Sequence, residues 1–404
     1  MIIAGGGLAG LAAAAALGRA GFEVDLHESR PFLGGRATSF PVSDSELVDN
    51  CQHVLLRCCT NLLDFYRRAG VLDKIRFFDR CWFVEPGGRI STLRPSLASL
   101  LRFPPLGPHD KLAIARGLGT MSREQHRPDL DNLTFAAWLA AHHQTARAIA
   151  RFWRPIVVSA LNEEPDRASA LPAFQVFLQG FLGPDRGYEM GVPTVPLAEL
   201  YSAPLPNVRV HLRSTLSRLD PTDPAADFYI SAVPFERVAD LVPGLGLDLA
   251  RFEHSPITGI HLWFDREIME LSQAALLDRT IQWVFRKSPV HYHLVVSASR
   301  SLVPLTRPEV IDLATRELGE FFPVVRQARL ERAHVIKEAR ATYSPQPGLE
   351  AHRPGPATRF PNLFLAGDWT QSGWPATMQG AVRSGYLAAE ALTRAAGKQM
   401  RFLL

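Results

Sequence analysis

Near its start the chain carries Gly5-Gly6-Gly7-Leu8-Ala9-Gly10, three glycines spaced G-x-G-x-x-G. That spacing is chemistry made from backbone rather than side chains. Gly5 permits a tight turn, Gly7 lets the main chain approach a pyrophosphate, and Gly10 lets a following helix pack closely on a sheet. The first amides of that helix, near Leu8 and Ala9, present N–H groups and a positive dipole end to phosphate. Glu28 stands eighteen residues after Gly10, where a carboxylate can accept hydrogen bonds from an adenosine ribose. A second set of glycines, Gly34-Gly35, is followed by Arg36, whose planar fork of donors suits a pyrophosphate. Near the other end of the chain lie Gly367-Asp368-Trp369 and Thr377-Met378.

These groups need elements to hold them. Residues 1–4 read as a strand, 11–21 (LAAAAALGRAG) as an Ala-rich helix, and 22–27 (FEVDLH) as a second strand ending at Glu28. Residues 362–366 (NLFLA) read as a strand ending at Gly367, and a helix is expected from 378 to 396. Between them, 207–216 (NVRVHLRSTL) alternates like a strand pair, and 227–233 (DFYISAV) reads as another strand. The expected fold class is α/β.

The Gly-Gly-Arg turn directly after the second strand resembles the extended FAD signature of the flavin amine oxidase and phytoene desaturase superfamily. The Gly367-Asp368 segment resembles that superfamily's last FAD motif. The resemblance implies a Rossmann-type FAD domain assembled from residues 1–60, 191–245 and 341–404. It also implies an α+β substrate domain, a helical cap plus an antiparallel sheet, from 61–190 and 246–340. It gives FAD-binding roles to Gly5, Gly7, Leu8, Ala9, Gly10, Glu28, Gly35, Arg36, Gly367 and Asp368. Thr377 and Met378 would face the flavin's pyrimidine edge, where a helix dipole favours negative charge. Leu216 would offer its backbone amide to the adenine, or be an ordinary sheet residue. Trp374 would belong to the same motif or to packing.

The segment Asp49-Asn50-Cys51-Gln52-His53-Val54-Leu55-Leu56 resembles one branch more narrowly, the hydroxysqualene dehydroxylases, as do 255–264 (SPITGIHLWF), 340–345 (RATYSP) and 366–378. Cys51 departs from that pattern, where glycine is expected. The branch's substrate is a long-chain isoprenoid, hydroxysqualene, whose allylic hydroxyl is replaced by hydride from reduced FAD to give squalene. His53 is the first candidate for the acid, since histidine titrates near neutrality. Gln52 would orient the hydroxyl, and His261 is the second choice for the acid. The alternative for His53 is a satisfied core ring. Trp283 and Phe285 would stabilise a cation by their ring faces, or simply pack. Related amine oxidases often carry lysine at about the position of His261, so its absence speaks against amine oxidation. An oxidative carotenoid-type desaturase uses the same cofactor in the other direction. No second G-x-G-x-x-G follows a strand, so the electron donor to FAD is left open.

Composition closes off other classes. The chain has 404 residues, net charge +4 and 47% hydrophobic content, enough for a sizeable core and too apolar for disorder. Basic residues number 44 against 40 acidic, nearly all of them Arg, with no charge block that would mark a nucleic-acid tail. Cys51, Cys58, Cys59 and Cys81 form no C-x-x-C pair, so neither a metal ribbon nor a redox dithiol is expected. Free thiols and glycines beginning at residue 5 point to the cytoplasm. Helices are expected at 61–69, 109–121, 135–140, 145–158 and 308–321, with strands at 257–264 and 291–297. No run of eighteen apolar residues appears in the sequence. Because an isoprenoid is insoluble in water, peripheral contact with the inner face of the membrane is expected. Residues 95–106 (PSLASLLRFPPL) are the candidate segment, or alternatively a buried helix end.

Overall fold

The computed structural model describes every residue except 44, 45, 95, 184, 185 and 224, and the side chain of Leu97. The chain divides into two compact units. The first comprises Met1–Arg76, Gly191–Glu253 and Leu349–Leu404, the second Phe77–Met190 and His254–Gly348.

The first unit is built on a five-stranded parallel sheet in the order Val208–His211, Val24–His27, Ile2–Ala4, Tyr229–Ser231, Leu363–Leu365. Ile3, Leu26, Ile230 and Leu363 are wholly buried, as expected of strands covered on both faces. The helix Leu8–Arg19 joins the first two strands and is buried at every residue from 8 to 18. It has no polar face because it is packed on both sides. One neighbour is the helix Met378–Ala395. A Cβ on Gly385 would sit 2.2 Å from the Ala9 carbonyl oxygen, so the two helices touch backbone to backbone there.

The expected strand pair at 207–216 is one strand, Val208–His211, followed by a turn. Asn207 and Arg213 both take the left-handed conformation, which ends the extended run on either side. The alternation reflects a half-exposed edge strand, whose Arg209 and His211 both bond Asp25 next door. Leu216 lies beyond it in irregular chain. The helix Thr60–Arg68, expected among the inserted parts, lies with the first unit. Its Leu62 amide donates to Gln379, and Asp64 accepts from Tyr386.

The second unit holds a seven-stranded sheet in the order Leu330–Tyr343, His254–Phe264, His291–Ser297, Trp283–Arg286, Gln273–Leu276, Cys81–Val84, Ile90–Leu93. It is antiparallel except between Gln273–Leu276 and Cys81–Val84. The helix Arg307–Phe321 contributes Val310 and Leu318 to a core with Ile260, Leu262, Leu294 and Val284. A helical cluster gathers round Trp138, Trp153, Phe135 and Phe177, and takes in Phe83 and Ala275 from the sheet. The helix expected at 145–158 is present, but its middle, Ile149–Trp153, is a wide π-type turn before Arg154–Leu161. Pro155 explains the widening, since it lacks an N–H and its ring crowds the carbonyl one turn back.

In the proposed membrane segment, Pro95 and the side chain of Leu97 lie outside the described residues. Leu100, Phe103 and Leu106 point into the helical core, as the alternative of a buried helix end expects, while Leu101 and Arg102 are exposed.

Candidate functional site

At the carboxyl end of the first unit's sheet, Gly5 adopts φ +109°, and a Cβ there would meet the Ala232 carbonyl oxygen at 2.7 Å. A Cβ on Gly10 would lie 1.9 Å from the Gly5 oxygen. Both positions therefore admit only glycine. Gly7 differs, because a Cβ there would meet nothing nearer than Gly35 Cα at 3.9 Å. An open cradle lies over Gly7, and Gly7 caps the helix without any side chain. The first-turn amides of Leu8, Ala9 and Gly10 have no acceptor inside the helix. Such a cradle fits a pyrophosphate, and the donor set of backbone N–H plus arginine has the chemistry for it.

Glu28 closes one side. Its carboxylate accepts from the Gly6 amide at 2.7 Å and the Arg30 amide at 2.8 Å, which fixes it at the strand end. The chain after the edge strand is tied to the same place. The Ser214 amide donates to the Glu28 carbonyl at 2.9 Å, and Ser214 Oγ lies 2.8 Å from His27 Nδ1. Leu216, two residues on, thus follows an anchored turn.

Arg36 and Asp368, 332 residues apart in sequence, form an ion pair at 2.6 Å. Asp368 is buried and Arg36 half exposed. Gly35 beside it takes φ +62°, a turn that favours glycine. Beyond them Thr377 caps the helix Met378–Ala395, its Oγ1 accepting from the Gly380 amide at 3.1 Å. The Met378 sulfur lies 3.9 Å from the Tyr66 hydroxyl, itself 3.1 Å from that of Tyr201.

The Asp49–His53 segment is held from several directions. Asp49 accepts from Ser39 Oγ at 2.7 Å and the Leu197 amide at 2.9 Å. Asn50 donates to the Arg36 carbonyl at 2.6 Å and accepts from the Cys51 amide at 2.9 Å. His53 Nδ1 is 3.0 Å from the Cys51 carbonyl, which can only accept, so Nδ1 carries the proton and Nε2 is the acceptor of the neutral ring. Burial lowers the His53 pKa below the usual histidine value, only partly offset by the Cys51 carbonyl and Asp49. The ring is therefore neutral near pH 7. Gln52 is buried next to it.

Two residues escaped the sequence reading. Asn50 lay inside a recognised string, but its tie to Arg36 is visible only in three dimensions. Buried Arg353 donates to the Asp368 carbonyl at 3.0 Å, the Trp374 carbonyl at 2.8 Å and the Thr370 carbonyl, and pairs with Glu350 at 2.7 Å. It gathers the whole loop after Asp368. No local pattern marks it. Trp374 is half-buried, while Trp369 is fully buried and donates to the Val233 carbonyl.

His261 lies in the second unit, on the strand His254–Phe264. It is fully buried, its Nδ1 is 3.0 Å from His291 Nε2, and its ring stacks on His293 at 3.9 Å between centroids. Burial and His261 itself depress the His291 pKa to about 3, so that ring stays neutral. Trp283 and Phe285 stack on one another on the same sheet face, and Trp283 Nε1 donates to Ser159. Among the described residues no His/Cys/Asp/Glu cluster suits a metal ion, and all four cysteines are free thiols. No helix among them is long and apolar enough to cross a membrane.

Known proteins are similar to this chain over nearly its whole length. A hydroxysqualene dehydroxylase from Sinorhizobium fredii is 29% identical over 96% of this chain and 97% of its own length. A probable zeta-carotene desaturase from Synechococcus elongatus is 24% identical over 97% of this chain and 98% of its own. Among solved structures, cyclohexylamine oxidase from Brevibacterium oxydans superposes with TM-score 0.75 at 16% identity, covering 98% of this chain and 99% of that one. The profile of the flavin-containing amine oxidoreductases matches residues 8–393. The chain belongs to that family, as an FAD-dependent oxidoreductase with a Rossmann-type cofactor fold and a second α+β part.

Proposed function

We propose that the chain removes the allylic hydroxyl of hydroxysqualene and releases squalene, working from the reduced flavin. Bound FAD, once reduced by a nicotinamide or a protein carrier, supplies the hydride that takes the hydroxyl's place. The protein's own residues do the rest. The amides of Gly7, Leu8, Ala9 and Gly10 with Arg36 hold the pyrophosphate, and Glu28 the adenosine ribose. The Leu216 amide meets the adenine, Asp368 holds the sugar-alcohol chain, and the helix start at Thr377 and Met378 supports the flavin's pyrimidine edge. His53 delivers a proton to the departing hydroxyl, which leaves as water, and Gln52 orients it. A histidine with a lowered pKa is a stronger acid when it does carry its second proton. His261, bonded to His291, is the alternative donor, in the unit proposed to take the isoprenoid.

The observation that carries this reading is the pair of hydrogen bonds made by Asn50, one to the Arg36 carbonyl and one from the Cys51 amide, which ties the cofactor-side Arg36 to the stretch of chain bearing Gln52 and His53. The full-length likeness to a hydroxysqualene dehydroxylase supports it. The desaturase relatives support a second reading, in which His53 Nε2 accepts a proton while oxidised flavin takes the hydride. Anaerobic incubation of dithionite-reduced protein with hydroxysqualene separates the two. Squalene with flavin reoxidation is the expected result. No turnover there, with phytoene or squalene oxidised by the oxidised protein, selects the second.

A further inference from the structure

Two leucines of the second unit stand out of an otherwise buried apolar segment. Leu101, at the end of the short helix Leu97–Leu101, is 58% exposed, and Leu112, in the first turns of the helix Pro108–Glu124, is 47% exposed. Their neighbours Leu100, Phe103, Leu106 and Ile114 are all buried in the helical core. The segment is thus firmly seated, and its outward leucines are not the sign of a frayed end. Lys111 Nζ donates to the Leu101 carbonyl at 2.7 Å and so ties the helix that bears Leu112 to the end of the helix that bears Leu101.

Along this stretch of sequence the charge is mostly of one sign. From 94 to 116 the cations are Arg94, Arg102, Lys111 and Arg116, and the only acid is Asp110. Asp110 is turned inward, where it accepts from Thr145 Oγ1 at 2.6 Å and the Gly107 amide at 2.8 Å. Arg147 lies 4.0 Å from it and offsets what remains of its field. Arg94 is drawn aside to Asp79. Arg102 and Arg116 are exposed, flanking Leu101 and Leu112.

Exposed leucines framed by cations match the surface of an anionic bilayer, with apolar side chains dipping among acyl chains while arginines meet lipid phosphates. We propose that this corner, Leu101 and Leu112 with Arg102, Lys111 and Arg116, docks the protein on anionic phospholipid. The proposal deepens the reading above by giving a water-insoluble substrate a place of entry, and rests on it in that respect alone.

Flotation with vesicles of equal parts phosphatidylglycerol and phosphatidylcholine tests it, using the flavin-loaded protein without substrate. Wild-type protein binds these vesicles and releases them as salt rises. Leu101→Ser with Leu112→Ser weakens binding about thirty-fold. Arg102→Gln with Arg116→Gln weakens it on the order of twenty-fold and flattens the salt response. Both double variants keep the flavin spectrum and the wild-type Tm, since all four side chains point outward. Wild-type protein that ignores the vesicles, as a protein-docking surface would, overturns the proposal. So do double variants that bind like wild type. Vesicle binding without squalene production in detergent leaves the surface standing and removes the proposed reaction.

Discussion

The two units solve the problem of placing polar groups in opposite ways. In the first, the binding surface is mostly backbone, with glycines that leave room, helix starts that supply amides, and a few side chains fixed by main-chain bonds. In the second, polar side chains are buried against one another. Glu163, wholly buried, takes both guanidinium nitrogens of Arg300 at 2.7 Å and the Ser344 hydroxyl. His261 and His291 share a proton position on adjacent strands. Backbone sites tolerate almost no added atom, while side-chain networks tolerate no lost partner. The first kind is written in local spacing, and the second in pairs far apart along the chain.

Substitutions can break this contrast, the largest effects first. Gly10→Ala drives a methyl into the Gly5 carbonyl and should yield colourless protein with stability reduced by about 3 kcal/mol. Gly7→Ala should lose flavin too, yet keep the Tm of wild-type apoprotein, because its methyl enters the open cradle. Equal Tm losses in both would mean the cradle is not open. Glu163→Gln should cost about 3 kcal/mol by stranding Arg300, while flavin absorbance per folded molecule stays unchanged. A loss of flavin there would dissolve the distinction between the units.

His53→Gln sharpens the comparison on the catalytic side. It should lower kcat about a hundred-fold with flavin content intact. The sign of the pH dependence carries more. As an acid, His53 works in its charged form, so kcat falls as pH rises through a value below 6.5. As a base in the oxidative reading, it gives the opposite slope. Arg36→Gln should weaken FAD binding roughly ten-fold, seen by titrating flavin into apoprotein.

A last effect, confined to low pH, concerns acid stability. The buried ring of His291 has its pKa depressed to about 3, so the folded state resists protonation that the unfolded chain accepts. Its contribution is present in full above pH 6.5 and is lost as pH falls toward 3. Wild-type Tm should drop over that window, and His291→Gln should shallow the drop.

Much of the cofactor side was legible in the sequence because glycine spacing is local. The strands at Ile2–Ala4 and Leu363–Leu365 and the helix Met378–Ala395 fall within a residue or two of their expected bounds. The pairing of Arg36 with Asp368 was not legible, nor Arg353's hold on the Asp368, Thr370 and Trp374 carbonyls, since partners in those bonds carry no shared local signature. The edge strand at Val208–His211 misled because an exposed edge alternates as a hairpin does. The strands Cys81–Val84 and Ile90–Leu93 went unread, two short runs between helical segments that pair with each other and join the sheet only through Gln273–Leu276, almost two hundred residues on.

The position of Leu363–Leu365 in the first unit's sheet also bears on synthesis. That strand pairs with Tyr229–Ser231, and the helix after it covers the glycine-loop helix formed at the very start. A nascent chain carrying Gly5 to Gly10 must wait for some 350 further residues before its nucleotide cradle is walled in. At about 5–20 residues per second that is a delay of tens of seconds. Once made, Tyr229–Ser231 presents an open strand edge until Leu363–Leu365 follows. Asp368 and the helix start at Thr377 join the cradle only once those residues have been made, so any flavin contact through them comes long after the glycine loop itself has left the ribosome.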